Sequence, residues 1–140
     1  MSAERKDIPF VRTNASKDEG ARYTLAHAFA CAGSGVLETL KHERNMKIHC
    51  AVAVLAVALA AVLRVPAWGV VAVVVCIGVV MALECVNTAV EAVVDLVTPE
   101  WHELAKRAKD AAAGATLIAA VTSVAVAALV YLPALMSLLG

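Results

Sequence analysis

The chain has 140 residues, which sets one domain as the expectation, with 61% hydrophobic and 17% charged residues. A soluble domain carries about 45–50% apolar residues; here the excess is gathered in long runs, which points to a membrane protein. The formal net charge of +0 provides no global field for nucleic acid, and Cys31, Cys50, Cys76 and Cys85 form neither a CxxC pair nor a zinc pattern.

Residues 1–20 are polar and mixed in charge, with Pro9, Asn14, Ser16, Asp18 and Gly20, and are expected to form a flexible tail. The first apolar run starts far from Met1, so no cleavable signal peptide is expected. From residue 22 to 41 the character changes. Tyr23, Leu25, Ala26, Phe29, Ala30, Val36, Leu37 and Leu40 are spaced for one apolar face, with Arg22, His27, Ser34, Glu38 and Lys41 between them. This pattern predicts an amphipathic helix, about 21–45, lying in the membrane interface. A helix packed on the rest of the protein is the alternative. Gly33 and Gly35 each weaken it by about 1 kcal/mol against Ala, and leave room for a close approach.

Residues 42–49 form a charged junction. Arg44 and Lys47 can snorkel to headgroups. Glu43 either pairs with a neighbouring cation or faces something positive. The first span is expected at about 46–63, and its 18 residues reach only ~27 Å. The 64–69 segment reads as a tight reversal, with Pro66 stopping the helix and Trp68 at the interface.

The second span, about 68–96, is longer than a membrane requires, so its end must emerge among the headgroups. Thr98 is expected to cap the next helix, with Pro99 at its first position. The third span, about 104–132, opens with Lys106, Arg107, Lys109 and Asp110. It continues through small residues at 111–115, which favour close helix approach. Tyr131 and Pro133 mark its far interface.

Of the 12 Lys and Arg residues, Arg64 alone lies in the first loop. The others precede or open the first span, or lie where the loop between the second and third spans runs into the third. The positive-inside rule then makes the N-terminus and the second loop cytoplasmic.

Residues 65–83 and 111–140 carry no charge, yet Glu84, Asn87, Glu91 and Asp95 follow directly on the second span. Spacings of i, i+3, i+7 and i+11 put all four on one helix face. Acids at the end of a membrane-length segment are costly. Three carboxylates and an amide suit Mg²⁺, which commonly takes one or two carboxylates plus substrate phosphates. Carboxylates this close raise at least one pKa, which can poise a general base. Lys109 and Asp110, near the start of the third helix, suit phosphate. No glycine-rich phosphate loop occurs, so side chains and metal would have to hold any nucleotide. The structural alternative is polar glue inside an oligomer, with Lys109 and Arg107 pairing the acids.

The run from Glu84 through Asn87, Glu91 and Asp95, followed by His102, Lys109, Asp110 and Gly114, resembles the signature of the small prokaryotic membrane diacylglycerol kinases. Upstream, Glu43-Arg44-Asn45 followed by His49 resembles the undecaprenol kinase branch of Gram-positive bacteria. The resemblance covers roughly 29–133. It implies an all-α integral membrane protein, a homotrimer of three-span subunits with an N-terminal surface helix, in a bacterial plasma membrane. It also implies transfer of the γ-phosphoryl of ATP to a lipid hydroxyl, at sites shared between subunits. By motif position, Glu84 is the general base and Glu43 and Glu91 hold Mg²⁺. Asn87 lines the site, Lys109 contacts the phosphates, Asp110 the nucleotide, and Glu100 and His102 lie near the adenine. Ser34 departs from the pattern where relatives carry a basic residue, and Thr24 lacks a charge that some relatives have nearby. The favoured acceptor is undecaprenol, with diacylglycerol as the alternative. A non-enzymatic scaffold or transporter subunit is the rival from another class.

Overall fold

A computed structural model describes residues 25–139; the expected tail, Arg22 and Thr24 lie outside the described residues. The described residues are helical, with no strand among them, in the order α1 (Leu25–His42), α2 (Arg44–Val62), α3 (Ala67–Val97) and α4 (Glu103–Leu139). The last three are long and apolar enough to cross a membrane. The chain divides between Ser34 and Gly35 into two compact units. The first contributes residues 25–34 of α1, where Leu25 and Phe29 are exposed. All that follows concerns the second unit.

Glu43 separates α1 from α2. Its extended backbone (φ −88°, ψ 123°) breaks the helical path two residues before the expected end of the surface helix. Its N–H still donates to the Thr39 carbonyl at 2.8 Å, and its own carbonyl accepts from Lys47 at 3.4 Å. One residue thus closes the first helix and opens the second.

α2 ends four residues before Pro66, through a different device from the one expected. Arg64 adopts the left-handed region (φ 51°). Its N–H donates to the Ala61 carbonyl at 3.2 Å, and the Val65 N–H to the Ala60 carbonyl at 2.9 Å. This is a Schellman closure with arginine where glycine is usual. Pro66 then opens α3, its carbonyl accepting from Gly69 and Val70.

The turn sits on a small apolar cluster of Ala60, Val65, Val73 and Val130. Gly69 is required there, because a Cβ would lie 2.6 Å from Val65 Cγ1 and 3.1 Å from Val130 Cγ1. Gly35, by contrast, has open space where a Cβ would lie. The cluster joins the end of α2, the start of α3 and the far part of α4, so these helices run antiparallel in sequence. Contacts between α3 and α4 are the most extensive, and α2 packs on α3. Tyr131 of α4 also donates to the Ala56 carbonyl of α2 at 2.8 Å.

One expectation about α4 is corrected. Thr98 does not cap it. Thr98 closes α3, its N–H donating to Val94 O at 2.9 Å and its hydroxyl to Glu100 O at 3.2 Å. His102 takes the capping role: Nδ1 accepts from the Leu104 N–H at 3.2 Å, and its carbonyl from Lys106 at 3.0 Å. An imidazole nitrogen here does the work usually given to a hydroxyl or carboxylate. At the other end α4 continues as a helix through Pro133 to Leu139, past the expected end of the span near 132. Proline forfeits one backbone bond and is tolerated inside membrane-length helices.

Candidate functional site

α3 has 31 residues, about 46 Å of helix against a hydrocarbon core of ~30 Å. Glu84 lies ~26 Å along it from Ala67, near the point where such a helix leaves the apolar layer. The expected stripe is present and graded in depth. Glu84 (2% exposed) and Asn87 (7%) are buried, Glu91 is half-buried and Asp95 is exposed. Glu84 and Met46 are the largest fully buried side chains among the described residues. A carboxylate buried this completely, when almost no acid is left so without a partner, calls for a specific role.

The side chain of Glu84 is aimed by its own helix and by α2. Thr88 ties the backbone by donating to the Glu84 carbonyl at 3.0 Å. The groups that face the carboxylate are His49, Glu43, Glu91 and the amide of Asn45. Asn45 and His49 are four residues apart on α2, so they share a face; Glu43 sits at the break preceding them. Asn87 Nδ2 donates to Glu91 Oε1 at 3.0 Å, while Asn87 Oδ1 is buried with no hydrogen-bond partner.

Beside Glu84 lies a cavity of about 220 Å³, into which Asn45, His49, Asn87 and Thr116 also project. It adjoins a larger apolar trough of about 330 Å³ between α2, α3 and α4, with Ile48, His49 and Ala120 common to both. A pocket that carries polar side chains on largely apolar walls and opens onto an apolar trough suits a molecule with a polar end and a hydrocarbon body.

The other expected residues lie around this centre. Lys109 of α4 is half-buried and its Nζ meets Asp95 Oδ1 of α3 at 2.5 Å. Asp110 is exposed and paired with Lys106. Glu100 and His102 lie exposed in the α3–α4 connection, where His102 caps α4. Among the described residues no three His, Cys, Asp or Glu side chains are gathered closely enough to hold a metal by themselves. Mg²⁺ does not require that. It binds one or two carboxylates and completes its shell with substrate phosphates and water. Glu43 and Glu91, with the orphaned Asn87 Oδ1 alongside, are oxygen donors that fit it.

Sequence reasoning left three polar members of the pocket out of its site: Asn45, His49 and Thr116. The i, i+4 spacing of the first two was a usable signal. Thr116 lies seven residues beyond Lys109, on the same face of α4, but inside a run of small and apolar residues that gives it no distinction.

The sequence matches the description of prokaryotic diacylglycerol kinases over residues 30–131. It is 43% identical over 110 residues to the undecaprenol kinase of Bacillus subtilis, covering 77% of this chain and 88% of that protein. It is 42% identical over 116 residues to a diacylglycerol kinase of Synechocystis, covering 82% of this chain and 66% of the relative. The diacylglycerol kinase of Escherichia coli K12 matches at 51% over 45 residues, 32% of this chain and 37% of its own.

Proposed function

The chain belongs to the prokaryotic diacylglycerol kinase family, and from that premise we propose that it phosphorylates undecaprenol with ATP at the cytoplasmic face of the membrane. It is a lipid kinase. The single observation that carries the chemistry is the burial of Glu84 beside a pocket that opens onto an apolar trough.

The acceptor's hydroxyl enters the pocket with its hydrocarbon in the trough. Glu84 takes the proton of that hydroxyl as the oxygen attacks the γ-phosphorus of ATP. The new O–P bond forms as the bond from the γ-phosphorus to the β–γ bridging oxygen breaks. Lipid phosphate and ADP are the products, and the proton rests on Glu84 until it passes to water. Positioning and charge neutralisation do most of the work in phosphoryl transfer. Lys109 contributes to both. Asp95 engages its ammonium, which has further N–H donors for phosphate oxygens. Glu43 and Glu91 would hold Mg²⁺, which would supply neutralisation of phosphate charge. Asn87 bridges to Glu91 and lines the pocket. Asp110, Glu100 and His102 serve the nucleotide. They are exposed and line neither the pocket nor the trough, so a complete site draws on a second chain, which supports a homotrimer with shared sites. The cation distribution supports a cytoplasmic N-terminus, and the exposed Val36 and Leu37 of α1 support its lying in the interface.

Undecaprenol is preferred to diacylglycerol because the match to the undecaprenol kinase spans 88% of that protein, against 66% of the Synechocystis diacylglycerol kinase. The test is a labelled-ATP assay in mixed micelles offering both alcohols side by side. Preferential formation of undecaprenyl phosphate is expected. Faster formation of phosphatidic acid overturns the acceptor assignment, and labelling of neither overturns the activity.

A further inference from the structure

Most helical hydroxyls among the described residues share a habit, the exposed Ser34 aside. Thr39, Thr88, Thr122 and Ser123 each donate to the carbonyl four residues back at 2.8–3.0 Å, and Ser137 to the carbonyl three back at 2.9 Å. That is the usual resort of a hydroxyl inside a helix, because it satisfies the group locally. Thr116 departs from it. Its residue is 6% exposed, and its Oγ1 is buried with no hydrogen-bond partner. A buried hydroxyl left so costs free energy, although Ala112 offers a carbonyl one turn back. The side chain projects instead into the cavity beside Glu84.

We propose that Thr116 is an acceptor-binding residue, donating its hydroxyl hydrogen to the oxygen of the lipid alcohol that Glu84 deprotonates. This rests on the lipid-kinase reading above and adds a residue to it. Two observations and one chemical argument assign Thr116 to the acceptor rather than to ATP. It lies seven residues, ~10 Å along α4, beyond the phosphate-contacting Lys109, on the apolar side. It lines the pocket together with Ala120, which also lines the apolar trough. And the incoming alcohol has the matching chemistry. Its O–H is given to Glu84, and an oxygen lone pair is left to accept from Thr116. Donor and base on opposite helices, α4 and α3, then fix the oxygen between them.

The test uses Thr116→Val, which keeps the branched shape and removes the hydroxyl, and Thr116→Ser, which keeps the hydroxyl. The full-length enzyme is assayed in mixed micelles, with undecaprenol and ATP varied separately and thermal unfolding recorded for each variant. Loss of one neutral hydrogen bond predicts a five- to tenfold rise in acceptor KM for Thr116→Val, on the order of the usual worth of such a bond. The KM for ATP should stay within about twofold, and unfolding should occur at the same or a higher temperature, since the free protein loses only an unsatisfied group. Thr116→Ser should restore the acceptor KM. An unchanged acceptor KM in Thr116→Val overturns the inference and leaves the kinase reading standing. A lowered unfolding temperature with both KM values raised together also overturns it, by placing the hydroxyl in packing. A wild-type protein that phosphorylates no lipid alcohol removes the functional reading, and this inference with it.

Discussion

Replacing Glu84 by Gln keeps the side-chain length and one amide oxygen, and removes the capacity to accept a proton. The site is suited to so narrow a change. Glu84 is almost wholly buried and faces two other carboxylates, Glu43 and Glu91, so a neutral amide relieves like-charge repulsion. Folding should therefore survive, with an unfolding temperature equal to or above that of the wild type. The chemical step should not. General-base catalysis is worth about 10²–10⁴ in rate, which is ~2.7–5.4 kcal/mol of barrier at 1.36 kcal/mol per tenfold. The kcat for undecaprenol in mixed micelles should fall by at least 10². ATP binding, read as a nucleotide-dependent rise in unfolding temperature, should be largely intact. Glu84→Asp extends the argument. Its carboxylate retreats by ~1.5 Å, and a displacement of 1 Å can cost ~10², so Asp should recover little. A kcat within twofold of wild type for Glu84→Gln would remove Glu84 as the base and refute the reasoning from its burial.

Glu91→Gln keeps a hydrogen-bond partner for Asn87 while removing a negative charge, so the Mg²⁺ concentration for half-maximal rate should rise; an unchanged titration argues against a metal role. Gly69→Ala brings a methyl group within 2.6 Å of Val65 Cγ1. Overpacking of this kind costs about 1–3 kcal/mol, and should appear as a lowered unfolding temperature with both KM values preserved. Arg64→Gly should act in the opposite sense. The left-handed conformation costs a non-glycine residue about 1–2 kcal/mol, part of which glycine returns as chain entropy, so a gain of up to ~1 kcal/mol in detergent unfolding is expected. A loss of stability would show that the arginine side chain matters more than its backbone.

The acidic face of α3 was legible because periodicity alone sets it: residues three, four and four apart on a helix share a side whatever packs against them. The three spans were legible for a related reason, since length and hydrophobicity decide them before any contact forms. What escaped depended on tertiary partners or on local exceptions. Arg64 closing a helix in a conformation that favours glycine gives no sequence cue. Thr98 and His102 both carry a capping acceptor, and Thr98 loses because its backbone is already committed to ending α3. Pro133 reads as an interface marker in the sequence, yet it lies inside α4, as proline is tolerated within membrane-length helices. Asn45 and His49 enter the site only because α2 runs antiparallel to α3, which no local pattern states. Thr116 is recognisable only by a hydrogen bond it does not make.

The close-packed corner at Gly69 and the carboxylate at Glu84 occupy opposite ends of one membrane crossing. Holding the helices together and handling the substrate are therefore tasks for different residues, separated by most of the bilayer's thickness. Selection can remodel the pocket for a new alcohol while the Gly69 corner keeps the hairpin shut. Conversely, harmful substitutions should sort into two classes by depth: those that cost the cell protein copies, and those that cost it turnover per copy.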